Sequence, residues 1–204
     1  MTATRTPLLA AHGIRKRYGR RVALDGASVQ VYAGEAVALT GENGSGKTTL
    51  LRICAGLLSP DAGTVYRDGR VGYCPQEPGV FDHLTIAEHL ELFDGAGEGA
   101  QLLRELGLPS TNRTVARELS GGSRQKLNLA LAVLGAPGVL LLDEPYQGFD
   151  RGTYIDFWRH VQAWRDEGRA VLVVTHALTD LDRVDRIVEL TPVSRPADAT
   201  VGAP

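Results

Sequence analysis

The sequence predicts an α/β fold built on a mostly parallel sheet, and three observations carry that prediction. Short, almost purely apolar runs recur at 35–40, 139–142 and 170–175, the mark of strands covered on both faces. Helical patterns follow or separate them at 47–55, 120–134 and 153–165, and strands alternating with helices imply crossover connections. A glycine-rich loop at 41–46 joins the first run to the first helix.

In chain order, 8–14 and 27–32 read as short strands around a turn-rich basic segment at 15–21. The run 35–40 is bounded by glycines, and the helix at 47–55 stops near Gly56. Candidate strands at 64–66 and 70–74 flank Asp68-Gly69, which reads as a hairpin turn. Residues 84–108 carry a helical pattern through Leu84, Ala87 and Leu90, then Leu102, Leu103 and Leu106. Glycines at 95–99 divide it into two helices. A polar link at 112–118 precedes one amphipathic helix, closed by Gly135-Ala136-Pro137. After the helix at 153–165 come a strand at 170–175, a helical turn at 178–182 and a last strand at 186–190. The tail, 191–204, is rich in Pro, Ala and Thr and is expected to lack fixed structure.

The chain has 204 residues, 43% hydrophobic and 23% charged, with a formal net charge of −2. That suits one globular domain and gives no basic surplus for nucleic acid. No stretch reaches the roughly 18–20 apolar residues of a membrane span, and residues 1–7 lack a signal-peptide core, so a cytoplasmic protein is expected. Cys54 and Cys74 have no partners at metal-ligand spacing and read as reduced core thiols.

Gly41-Glu42-Asn43-Gly44-Ser45-Gly46-Lys47-Thr48 fits the phosphate-binding pattern G-x-x-x-x-G-K-[ST], and Thr49 comes next. Glycines let backbone N–H groups turn toward phosphate oxygens, and the next helix aims its positive end at the anion. Lys47 reaches the β and γ phosphates, and Thr48 offers a hydroxyl to Mg²⁺. Val139-Leu140-Leu141-Leu142-Asp143-Glu144 supplies the second half: a buried strand with two carboxylates at its carboxyl end, where ligands of open α/β sheets bind. Asp143 is assigned to Mg²⁺, through water, and Glu144 to orienting the attacking water.

These motifs resemble the nucleotide-binding domain of ABC transporters. Leu119-Ser120-Gly121-Gly122-Ser123, between the two halves of the site, looks like the family signature and decides the resemblance. Its chemistry suits a second anion site, with a serine hydroxyl, glycine N–H groups and a helix start. The resemblance covers 8–190 and implies a P-loop NTPase core, an N-terminal antiparallel β subdomain and an α-helical insert at about 77–135, all within one domain, 1–190. It also implies ATP and Mg²⁺ as cofactors. Four more roles come with it. Tyr18 stacks on adenine. Gln76 contacts Mg²⁺ and water at the hinge of the insert. Asp150 belongs to the loop that crosses a dimer interface. His176 is the switch histidine at the γ-phosphate. Gly41, Asn43, Gly44, Ser45, Gly46, Lys47, Thr48 and Thr49 would hold the nucleotide of one copy, and Ser120, Gly121 and Gly122 of a second copy would cover it.

The implied partners are transmembrane permease subunits and a second ATPase subunit, identical or not, and no nucleic acid. The site would sit at the inner face of the cell membrane. The run 80–90 is similar to that of exporter-type ATPases, and a haem-export subunit of cytochrome c biogenesis is a narrower version. A soluble ATPase acting on ribosomes or DNA is the rival, disfavoured by a single cassette without a long coiled coil or basic tail. Departures from the family pattern include Ser123, Lys126 and Tyr146-Gln147-Gly148-Phe149, which replaces a small-residue run before Asp150. None removes a phosphate, metal or water ligand.

Overall fold

A computed structural model describes residues 6–92, 97–109, 113–176 and 182–193. It has two sheets. The first is antiparallel, with β1 (Pro7–Tyr18) between β2 (Arg21–Tyr32) and β4 (Ala62–Arg67). The second contains β3 (Glu35–Thr40), β5 (Val71–Cys74), β6 (Val139–Asp143), β7 (Ala170–Val174) and β8 (Arg186–Glu189). Its order is β5-β6-β7-β3-β8, and every neighbouring pair is parallel. The helices are α1 (Lys47–Ala55), α2 (Ile86–Leu92), α3 (Glu98–Glu105), α4 (Gly121–Val133) and α5 (Arg151–Asp166). The expected α/β class, antiparallel β portion and helical segments between β5 and β6 are all present. Among the described residues no helix is long and apolar enough to cross a membrane.

The apolar runs are explained by burial on both faces of the parallel sheet. Successive strand residues point to opposite sides. Leu140, Leu142, Val171, Val173 and Ala36 join one core with α2 to α5. Val139, Leu141, Leu172, Val174, Val37 and Leu39 join the other with α1 and the antiparallel sheet. All of these are at most 1% exposed, and burying each Val or Leu side chain contributes about 1.5–3 kcal/mol.

Two expectations are corrected. The basic segment 15–21 is strand on both sides of a tight turn, with Tyr18 opposite Arg21. Asp68-Gly69 does not close a hairpin. β4 pairs with β1, whereas β5 pairs with β6 in the other sheet. The turn is real, with φ 78° at Gly69, but it hands the chain from one sheet to the other. The helical turn expected at 178–182 falls on residues outside those described, except Asp182. So do Asn112, the glycine at 95 and the tail beyond 193.

The helices between β5 and β6 have local and tertiary anchors. Thr85 and Glu88 form a capping box at α2. The Glu88 carboxylate accepts from the Thr85 N–H (2.7 Å) and hydroxyl (2.8 Å), and the Glu88 N–H donates back at 3.3 Å. Buried His89 accepts from the Phe81 N–H through Nε2 (2.8 Å) and donates through Nδ1 to the Thr85 carbonyl (2.7 Å). α3 is tied to the core by Arg169 on Glu98 (2.6 Å) and by His160 on Glu105 (3.3 Å).

Candidate functional site

Strand order places the chemistry. β5, β6, β7 and β3 are neighbours running the same way, so their carboxyl ends share one edge. There β5 leads into Pro75-Gln76, β6 ends in Asp143 before Glu144, β7 leads into Thr175-His176, and β3 opens the loop 41–46. Asp143 and Leu39 both lie in register with Val174, which brings the acidic pair level with the start of that loop.

The loop is shaped for close backbone approach. At Gly46, φ is 98°, and a Cβ would lie 2.5 Å from the Ala23 carbonyl oxygen, so only glycine fits. No side chain caps α1, which leaves its first N–H groups free for an anion. Lys47 Nζ donates to the carbonyls of Gly41 (2.8 Å) and Glu42 (3.0 Å), stapling the loop. Only 6% of Lys47 is exposed, and burial pushes its pKa down against the opposing pull of Glu144 and Asp143. The Ser45 hydroxyl is buried without a partner inside the loop.

Asp143 is 1% exposed, and burial pushes its pKa up, with Glu144 adding to the push. A hydrogen bond from the Thr48 hydroxyl draws it back. Its Oδ2 is buried and has no partner. An unpaired carboxylate oxygen is costly, and a cation removes that cost. Thr48, Asp143 and Gln76 offer only oxygen ligands, the donor set a hard divalent ion takes when phosphates and water complete its shell. The residues therefore fit Mg²⁺.

Glu144 has an unusual backbone, φ 46°, and its carboxylate is gripped on both oxygens. His176 Nε2 lies 2.7 Å from Oε1. Gln76 Nε2 donates to Oε2 at 3.4 Å and Gln147 Nε2 at 2.5 Å. A carboxylate held this way, beside a cleft, can accept a proton from a water in that cleft. The cleft has a volume of about 270 Å³ and is lined by Asn43, Gly44, Gly46, Lys47, Thr48 and Thr49 on one side and by Gln76, Glu144 and His176 on another. Tyr18, 48% exposed, stands at its mouth with Arg21 and Ala23. A flat ring there can stack on a base.

All of these lining residues except Arg21 and Ala23 are among those singled out from the sequence. Sequence reasoning missed those two and, outside the lining, Gln147. Arg21 opens the second strand of the hairpin that carries Tyr18, a signal that pairing register alone makes visible.

Ser120, Gly121, Gly122 and Asp150 do not line the cleft. Ser120 is the N-cap of α4. Its hydroxyl oxygen accepts from the Ser123 N–H (3.2 Å) while its own proton goes to Ser123 Oγ (3.0 Å). Ser120 and Gly121 are exposed. Gly122 packs on the loop before α5, where a Cβ would lie 2.5 Å from the Gly148 carbonyl oxygen. Asp150 caps α5, accepting from the Thr153 N–H (3.0 Å) and hydroxyl (2.8 Å), and these bonds lower its pKa. Cys54 and Cys74 are buried and free, as expected, and burial raises both thiols. Among the described residues there is no metal-binding cluster of His, Cys, Asp or Glu.

Fold and site together define a phosphate-loop nucleotide-binding protein of the α/β class. The family model for "ABC transporter" matches residues 24–147. The chain is 38% identical over 189 residues to the zinc import ATP-binding protein ZnuC of Roseobacter denitrificans, covering 89% of this chain and 74% of that one. It is 32% identical over 206 residues to the Nod factor export ATP-binding protein I of Ralstonia nicotianae, covering 88% of this chain but 62% of the relative. A bacterial ABC transporter cassette solved as a dimer superposes with a TM-score of 0.82 at 26% identity, over 92% of this chain and 97% of that one. The chain belongs to the ABC transporter family and carries that family's ATP-binding ATPase domain.

Proposed function

We propose that this chain is the ATP-driven motor of an exporter, acting through separate transmembrane permease subunits at the inner face of the cell membrane. The observation that carries the reading is the convergence of Lys47, Thr48, Gln76, Glu144 and His176 on one cleft, with buried Asp143 hydrogen-bonded to Thr48 beside it and the Ser120 loop exposed elsewhere. Residues 1–190 act as one domain, with a helical subdomain at about 77–135 whose first part, near 77–108, passes motion to the permease.

Each residue has a task. Tyr18 stacks on the adenine. Gly41, Asn43, Gly44, Ser45, Gly46 and Thr49 surround the phosphates with N–H and hydroxyl donors. Lys47 exchanges its two carbonyl partners for the β and γ phosphates. Thr48, Asp143 and Gln76 hold Mg²⁺, which neutralises charge on the phosphates when bound. Glu144 orients the attacking water and takes its proton, and His176 steadies Glu144 and meets the γ-phosphate. One chain covers only part of a triphosphate. Two copies facing head to tail complete the shell, with Ser120, Gly121 and Gly122 of one over the nucleotide of the other and Asp150 at the seam. The bacterial ABC transporter cassette solved as a dimer supports the pairing of two copies. Loss of the γ-phosphate removes the bridge and lets the pair open.

Export is favoured by the pattern of residues 80–90 and by likeness to a Nod factor export protein. The zinc import relative, more identical, favours the opposite direction. Purification from detergent-solubilised membranes tests the motor reading: a multi-span membrane protein should copurify. A chain recovered alone, or with ribosomes, would overturn it. After reconstitution, cargo that stimulates ATP turnover from the ATP side indicates export. Cargo that stimulates only from the opposite side indicates import.

A further inference from the structure

We propose that Gln147 is a positioning residue of this site, gripping the Glu144 carboxylate from outside the cleft lining and fixing the face it turns to water. The inference rests on the reading of Glu144 as the water-orienting carboxylate. Among the described residues three side chains hold that carboxylate, and Gln147 makes the shortest contact of these, 2.5 Å from Nε2 to Oε2, against 2.7 Å for His176 and 3.4 Å for Gln76. Gln76 and His176 line the cleft, whereas Gln147 does not. Nucleotide filling the cleft can therefore draw the first two away, while Gln147 keeps its hold.

Tyr146, Gly148, Phe149 and Asp150, around Gln147, are each held by packing or hydrogen bonds. Tyr146 packs into the core against Tyr154 (5.2 Å between centroids) and Phe157 (5.6 Å), and its hydroxyl meets Thr175 Oγ1 at 2.6 Å, one residue before His176. The Gly148 carbonyl backs on Gly122, the Phe149 ring meets Phe157 edge-on, and Asp150 caps α5. The Gln147 N–H closes the turn onto the Glu144 carbonyl at 3.4 Å. Glu144 leaves its strand at φ 46°, a conformation non-glycine residues hold only when the surroundings impose it. A donor mounted on so constrained a turn sets where the carboxylate points, and small misplacement of a reacting group is expensive in rate.

The test is Gln147→Met, which keeps bulk and removes the donor, with Gln147→Ala beside it. Turnover should fall about 10–100-fold in both, while Kd and KM for ATP stay within about twofold. In a Glu144→Gln background, Gln147→Met should add little further loss to the single-turnover rate, because the two act as a unit. Wild-type turnover in Gln147→Met, a loss confined to Kd or KM, or fully additive losses would overturn the proposal. Should Glu144→Gln itself turn over normally, the reading of Glu144 fails first, and that outcome is separable from failure at Gln147.

Discussion

Glu144→Gln should reduce ATP turnover by about 10²–10⁴-fold, the contribution of a positioned general base, while leaving ATP binding in place. The substitution conserves shape, and the new amide oxygen can still accept from Gln147 Nε2, which sits 2.5 Å from Oε2. What disappears is the basic oxygen facing the cleft. Asp143 and Lys47, the proposed metal and phosphate ligands, are untouched, so nucleotide should enter as before. Because hydrolysis would open the proposed head-to-tail pair, the variant should also accumulate as a dimer on gel filtration with ATP. Phosphate release measured beside ATP titration checks both halves. Turnover near wild type would remove Glu144 from the mechanism.

Lys47→Ala should weaken ATP binding by about 10–150-fold, taking about 1.5–3 kcal/mol for hydrogen bonds to a charged group. The loss has two sources. The ammonium that would meet the β and γ phosphates is gone. The carbonyls of Gly41 and Glu42 also lose the donor that folds the loop, at 2.8 and 3.0 Å. Burial already lowers the Lys47 pKa, so an arriving phosphate favours the charged form in a place where charge is poorly solvated. Direct titration with ATP is the measurement. Unchanged affinity would contradict the assignment of the loop.

Much of this architecture can be read from residues alone, for physical reasons. β3 and α1 have the bounds their residues imply, because a two-faced buried strand must be apolar throughout and a phosphate loop must end at a helix N-terminus. The strands ending at Tyr18 and starting at Arg21 are hidden, since Arg15, Arg17 and Arg20 are exposed and show no apolar alternation. Asp68-Gly69 marks a turn locally, but which sheet the next strand joins is decided by distant partners, Leu9 for Arg67 and Val139 for Val71. Site residues that belong to a motif are legible. Gln147 is not, because a glutamine carries no signal until the φ of Glu144 folds it back on the carboxylate. Ser120 and Asp150 show the reverse case: both cap helices, a plain structural duty compatible with any role across an interface.

The central claim is that two copies enclose a shared triphosphate, and thiol cross-linking tests it most directly. Asn43→Cys and Ser120→Cys would be placed in one chain, treated with a short bifunctional thiol reagent, with and without ATP. The native thiols should stay silent, since Cys54 and Cys74 are fully buried and burial pushes Cys54 up to about 12. A dimer-sized product that forms with ATP, fades without it and is lost in Lys47→Ala is the predicted result. Cross-links that ignore ATP, or none with ATP bound, would contradict the claim.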